Sequence, residues 1–216
     1  NGKIVSEKIF SNLWIQPASS DAGGSLGAAM SVWHEYLNNE KINTDTNNLK
    51  DTMRGSLLGS HYSNEYIKNF LDKGGIEYKY FEDENLFEKI SEHLDQKKII
   101  SLFQGKMEFG PRALGSRSIL GDPRDPQMQK KMNLKIKYRE SFRPFAPIIL
   151  KEFLKKYYYL DNESPYMLLV SQIQDQYRNK YPESLSGFDK LKFPNSIFPS
   201  ITHVDYSSRL QTIDKT

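Results

Sequence analysis

Segments that read as helices alternate with segments that read as strands from about residue 55 onward, and this alternation restricts the fold more than any other feature of the chain. The helices are predicted from apolar residues at helical spacing and from capping residues, and the strands from short apolar or alternating runs. Helices are predicted at residues 63–74, at 85–94 and from Asp125, and strands at 76–81, 97–105 and 166–173. Such alternation is typical of an α/β or α+β domain.

The first 40 residues follow a separate pattern. A short strand is predicted at Leu13–Gln16, followed by a loop that ends at Asp21 and a helix from about Ser25. One apolar face of this helix is formed by Leu26, Met30, Trp33 and Leu37. A polar stretch then predicts a linker at residues 41–54, which divides the chain into a first domain, 1–40, and a second domain, 55–216.

Composition excludes several classes of protein. None of the 216 residues is a cysteine, so disulfides and thiolate metal sites are excluded. No apolar run approaches the roughly 20 residues that span a bilayer, so no membrane association is predicted. No secretory signal is visible, and a cytoplasmic location is therefore predicted.

Positive charge is concentrated in residues 101–150. Ten Lys and Arg face only four Asp and Glu there, although the net charge of the whole chain is +3. A local excess of this kind suits phosphate-bearing small molecules, nucleic acid or a solvated surface.

The basic glycine loop, residues 103–120 ("FQGKMEFGPRALGSRSIL"), carries Lys106, Arg112 and Arg117 on a backbone stiffened by Pro111. It is not a Walker loop, because Pro-Arg replaces the Lys-Ser/Thr that contacts the terminal phosphates. Guanidinium groups on a constrained turn match oxyanions, and glycine lets backbone amides approach them. The loop therefore predicts a phosphate site, with a solvated basic surface as the alternative.

A second arginine is held between aromatic and proline residues. In "ESFRPFAP", Arg143 follows Phe142 and precedes Pro144, which suggests a packed stem and a directed guanidinium. The alternative is a structural ion pair with Glu140.

Five ordered segments resemble the NodU/CmcH-type carbamoyltransferases, enzymes that carbamoylate hydroxyl groups of nodulation factors, antibiotics and similar biosynthetic products. The segments are "IQPASSDAGGSLGAA", "GKMEFGPRALGSRSIL", "ESFRPFAP", "SPYMLLV" and "THVDYSSRLQT". The resemblance covers nearly the whole chain except the polar stretch at 173–198.

The resemblance implies a two-site enzyme. An actin-like ATPase-fold (ASKHA) domain, here represented by its end at residues 1–40, holds Fe²⁺ or another divalent metal and transfers the carbamoyl group to a hydroxyl-bearing acceptor. A YrdC-like domain, here residues 55–216, forms carbamoyladenylate from carbamoyl phosphate and ATP with Mg²⁺. Both domains belong to one polypeptide.

The same resemblance assigns roles to individual residues. Asp21 corresponds to a metal-ligand aspartate, although a helix N-cap is the alternative for it. Catalytic roles fall on Lys106, Arg112, Arg117 and Arg143. Contacts to carbamoyl phosphate and nucleotide are expected from Lys106, Arg112, Ser116, Arg117, Arg143, Ser207 and Arg209.

Some positions depart from the family pattern. Tyr206 stands where the last block usually has glycine, and Ser208 stands where it has alanine. The His-x-x-x-His pair that completes the metal site is absent from the sequence. The chain is therefore expected to be an internal fragment that lacks an amino-terminal part of the enzyme. The alternative function, suggested by YrdC-like proteins of tRNA modification, is RNA binding, for which nucleic acid would follow the basic segment.

Overall fold

The computed structural model describes residues 1–41 and 51–215. Most of the predicted linker, 41–54, therefore lies outside the described residues. The chain forms two compact units. The sheet unit comprises Asn1–Leu13, Lys89–Ile100 and Ile119–Thr216, and the loop unit comprises Trp14–Glu88 and Ser101–Ser118. The assignment of residues 1–40 and 55–216 to two enzyme domains stays a prediction.

Helices and strands are both short. The helices are α1 Gly2–Ser6, α2 Asp21–Ser31, α3 Asn64–Lys73, α4 Asp83–Asp95, α5 Met128–Met132 and α6 Lys151–Tyr157. The strands are β1 Ile100–Phe103, β2 Arg117–Leu120, β3 Ile148–Leu150, β4 Leu169–Gln172 and β5 Ser207–Ile213. This mixture confirms an α+β fold, whereas the YrdC-like and actin-like assignments stay predictions. No helix in the described ranges is long and apolar enough to cross a membrane.

The sheet unit is built on a three-stranded sheet in the order β3-β5-β4. β5 pairs in parallel with β3 and antiparallel with β4. As the central strand it buries Leu210 completely, opposite Leu169 of β4. The remaining apolar core of this unit is formed by Met128, Met132, Leu154, Tyr158, Leu160, Met167, Ile173 and Ile201.

Two predicted helices and one predicted strand are confirmed, and in α3 the predicted capping residues are confirmed as well. In α3 the Ser63 hydroxyl accepts a hydrogen bond from the Tyr66 amide at 3.1 Å, and the helix ends at Gly74. The predicted helix at 85–94 is confirmed as α4. The strand predicted in 166–173 is confirmed as β4.

Other predicted elements differ from the structure. Residues 13–16 and 76–81 form no strand, because neither segment has a neighbouring strand to pair with in the described chain. α2 begins at Asp21 rather than Ser25, and its predicted apolar face is largely exposed. The helix predicted from Asp125 begins only at Met128, because the Asp125 carboxylate accepts the Gln127 amide in a turn.

Candidate functional site

The first half of the basic glycine loop is fixed by backbone pairing within the loop unit. The Gly59 amide donates to the Met107 carbonyl, and the Met107 amide donates to the Ser60 carbonyl, both at 2.9 Å. The Phe109 amide donates to the Ser56 carbonyl at 2.6 Å. These bonds leave residue 108 between two anchored neighbours, so its side chain has a defined direction.

Glu108 is directed into the loop and binds its second half. One carboxylate oxygen, Oε1, accepts hydrogen bonds from the backbone amides of Leu114 (2.9 Å), Ser116 (2.7 Å) and Arg117 (3.4 Å). Burial by itself raises the pKa of Glu108, but these amide hydrogen bonds outweigh it and hold the pKa below the usual glutamate range. Glu108 was not predicted; the signal for it was a single acid in an otherwise cationic loop.

The backbone amide of Gly115, in the second half of the loop, also donates to a side chain. The Gly115 amide donates to the Ser118 hydroxyl at 3.1 Å. The amides of residues 114–117 are therefore directed at the protein itself and do not face a ligand. Recognition of an anion by this loop falls to its cationic side chains.

Two of those cations are not neutralised by the protein. In the described part of the chain, the side chains of Lys106 and Arg112 form no hydrogen bond or ion pair, and Arg112 Nε is buried without a partner. Glu108 is the only acid in residues 103–120, and its charge is directed at backbone amides. The loop thus presents two uncompensated positive charges.

Arg117, in contrast, is engaged in the structure of the loop. Its guanidinium donates to the carbonyls of Gln104 (2.7 Å), Ser116 (2.9 Å) and Gly105 (3.3 Å). The same group stacks on Phe103, 3.5 Å from the ring centre. Ser116 is buried, and both its amide and its carbonyl take part in these contacts. The phosphate-contacting roles of Arg117 and Ser116 stay predictions.

Asp21 is the first residue of α2, and the N-cap position falls on Ser20. The described residues contain no group of three or more His, Asp or Glu side chains that could hold a metal ion. The role of Asp21 as one ligand of a divalent metal in a longer enzyme stays a prediction.

The segment before Asp21 lies against the basic glycine loop. Ala18 is completely buried. A Cβ added to Gly110 would lie 3.2 Å from the Cα of Ala18. A Cβ added to Gly23 would lie 2.4 Å from the Ala18 carbonyl oxygen. The loop unit therefore brings together the sequence blocks that contain Asp21 and Arg112.

Three predicted residues lie in the sheet unit. Ser207 and Arg209 are two positions apart on β5, so they lie on the same face of that strand. Arg143 forms the alternative contact, an ion pair with Glu140 at 3.7 Å between half-exposed side chains.

Asn133 holds the turn that carries Arg143, and it was not predicted. Its buried side chain donates to the carbonyls of Ser141 (3.1 Å) and Arg143 (2.8 Å). It accepts from Arg139 Nε at 2.6 Å. A polar residue inside a short helical segment was the only signal in the sequence.

Comparison with known proteins identifies the family. The family model described as carbamoyltransferase C-terminus matches residues 91–216, more than half of the chain. The chain belongs to this family. The resemblance to NodU-type carbamoyltransferases is thereby confirmed at the level of the family.

Relatives of the chain in the family are much longer than the chain. An uncharacterized protein of Synechocystis is 50% identical over 99% of this chain and 35% of its own length. The nodulation protein NolNO of Sinorhizobium fredii is 33% identical over the whole chain and 28% of its own length. The nodulation protein NolO of Bradyrhizobium diazoefficiens is 32% identical over the whole chain and 35% of its own length. The chain thus spans about a third of these curated relatives.

Proposed function

We propose that this chain is part of an O-carbamoyltransferase and contributes the site where carbamoyl phosphate and ATP form carbamoyladenylate. The observation that carries the proposal is the pair of uncompensated cations, Lys106 and Arg112, on a loop whose only acid is bound by backbone amides. Membership of the carbamoyltransferase C-terminus family supports a transferase and does not favour RNA binding.

The chemistry explains why cations are needed. Carbamoyl phosphate and ATP are both polyanions and repel each other, so a site that neutralises their phosphates lowers the cost of bringing them together. In the proposed sequence, water hydrolyses carbamoyl phosphate to carbamate and inorganic phosphate. A carbamate oxygen then forms a bond to the α-phosphorus of ATP, as the bond between the α- and β-phosphates breaks and pyrophosphate leaves. The protein then acts mainly by orientation and charge stabilisation, as in other phosphoryl-group reactions.

We further propose that the remainder of a longer enzyme completes the transfer site and binds the hydroxyl-bearing acceptor. The chain spans about a third of its relatives, which leaves room for such a part. The loop unit also exposes large apolar side chains, among them Trp14 (65% exposed) and Phe70 (61%), that suit packing against further polypeptide.

The proposal is tested by calorimetric titration of the chain with carbamoyl phosphate and, separately, with ATP–Mg²⁺. We expect binding of both ligands by the wild-type chain and a loss of at least roughly tenfold in affinity for Arg112→Ala, about the effect of one charge-assisted contact.

Lys135→Ala is the matched control. It removes one exposed positive charge from the same basic segment but lies outside the loop. An equal loss of affinity in both variants would indicate a diffuse charge effect. A folded wild-type chain that binds neither ligand would contradict the proposed function.

A further inference from the structure

We infer that Glu108 is a positioning residue that sets the conformation of the basic glycine loop and thereby the anion affinity of Lys106 and Arg112. The anion-binding half of this inference rests on the proposed function. Glu108 itself contacts no ligand in this scheme, because its carboxylate points into the loop.

The geometry makes Glu108 the link between the two halves of the loop. On one side, its neighbours Met107 and Phe109 are anchored by backbone bonds to residues 56–60. On the other side, its Oε1 holds the amides of Leu114 and Ser116. Residues 110–113, including Arg112, lie between these anchors, so their position is fixed at both ends.

The glycine content of the loop explains why such a link is required. Gly110 and Gly115 have φ angles of +124° and +121°, a region that residues with a side chain rarely adopt. Glycine loses more conformational freedom on folding than any other residue. Without the carboxylate, the amides of Leu114, Ser116 and Arg117 would lose their acceptor, and the segment between the two glycines would lose its fixed geometry.

The direction in which anion affinity changes when Glu108 is neutralised distinguishes a positioning role from a purely electrostatic one. A negative charge close to an anion site weakens anion binding, so neutralising an acid that acted only through its charge would raise affinity. A positioning role predicts the opposite, because the lost acceptor releases the loop. The direction of the change in affinity therefore separates the two roles.

The experiment compares Glu108→Gln and Glu108→Met in the full 216-residue chain. Gln keeps an Oε1 acceptor without the charge, whereas Met keeps the approximate length and removes the acceptor. Inorganic pyrophosphate and ATP–Mg²⁺ are the probes, and hydrogen exchange at the amides of Leu114 and Ser116 is followed by NMR. Glu65→Gln and Glu65→Met, exposed in the first turn of α3, are the matched controls for the loss of one negative charge.

We expect affinity for both probes to fall in the order wild type, Gln, Met, with a loss of roughly tenfold for Met. Exchange at Leu114 and Ser116 should accelerate in Met and be partly rescued in Gln, while amides of the sheet unit stay unchanged. Unchanged exchange, or equal or tighter pyrophosphate binding in Met, would overturn the inference. Accelerated exchange in a chain that binds neither probe would overturn the proposed function and the affinity half of the inference, but it would uphold the effect on loop conformation.

Discussion

Asp122 is a buried carboxylate whose two oxygens accept hydrogen bonds from the guanidinium of Arg124. Its side chain is only 6% exposed, and it accepts hydrogen bonds from Arg124 Nε and Nη2 at 2.8–3.0 Å. Arg124 also reaches Asp95 at 2.8 Å. Burial raises the pKa of Asp122, but Arg124 and, at longer range, Lys97 outweigh burial and lower it below the usual aspartate value.

The first prediction concerns Asp122→Asn. A carboxylate with a lowered folded pKa stabilises the protein above its unfolded pKa of about 3.9, and this contribution disappears as pH falls through the lower folded value. At pH 7 the free energy of unfolding of the variant should be lower than that of the wild type by about 1.5–3 kcal/mol, the range for hydrogen bonds to charged groups. Urea unfolding between pH 7 and pH 2.5 should show this difference shrinking in acid; a difference independent of pH would contradict the assignment.

The second prediction concerns Tyr206, which stands where the resemblance to the family leads one to expect glycine. Its φ of +65° lies in the left-handed region. Its ring contacts Tyr181 at 5.6 Å and the Arg178 guanidinium at 4.9 Å between centres, which offsets the backbone cost. Both Tyr206→Ala and Tyr206→Gly lose these ring contacts, but only glycine relieves the backbone. Glycine should therefore be more stable than alanine by about 1 kcal/mol in chemical unfolding, and the reverse order would show that the strain is absent.

At the residue scale the sequence predicted cations better than it predicted their supports. Lys106 and Arg112 stand out because they are charged residues next to glycine and proline. Glu108 supports the loop that carries Arg112 through bonds to amides, and Asn133 supports the turn that carries Arg143 through bonds to carbonyls. Such bonds depend on where the backbone turns, and residue spacing does not reveal it.

At the scale of elements, the third prediction tests the packing of Ala18 against the basic glycine loop. Gly110 and Gly115 share nearly the same φ, but only Gly110 has a neighbour within 4 Å. Alanine at either position should cost about 1–3 kcal/mol of backbone strain.

For Gly110→Ala the free energy of unfolding should fall by about a further 1–3 kcal/mol, because the added Cβ would overpack against Ala18. Gly115→Ala is the matched control, with the same backbone strain and open space around its Cβ. Thermal unfolding of the two variants measures the difference, and equal losses would mean that the Ala18 contact does not constrain the loop.

Helices were predictable where their signals are local, whereas two of the four predicted strands, at residues 13–16 and 76–81, are absent. α3 has its Ser63 cap and Gly74 end within the segment itself, so the sequence predicted both boundaries. Residues 76–81 alternate as a strand does, but a strand also needs a partner, and the described structure provides none. The apolar spacing in α2 and the turn after it predicted a packed face, yet Met30 in α2 and Trp33 in that turn are about half exposed.

At the scale of the whole molecule, apolar burial is uneven. Among the described residues, the buried apolar side chains of the loop unit are Ala18 and Met53, whereas the sheet unit has a core of ten around Leu210. Since apolar burial contributes about 25 cal/mol per Å², the loop unit has little to hold it folded by itself.

The fourth prediction follows from this difference. Hydrogen exchange measured by mass spectrometry should be slowest in peptides containing β4 and β5 and should be faster in peptides containing α3. Each unit serves as the control for the other within one experiment. Uniform protection along the chain would contradict the expectation.

The inward direction of Glu108 has a kinetic consequence. Because Lys106 and Arg112 have no compensating partner in the described structure, their field reaches outward over roughly one Debye length, about 8 Å at physiological ionic strength. An approaching anion is therefore attracted before it makes any contact. Added salt should slow its association in stopped-flow measurements and leave dissociation, which depends on short-range bonds, nearly unchanged. On the proposed function, these two charges therefore set how fast the loop captures an anion, and Glu108 binds the loop amides instead of pairing with either cation.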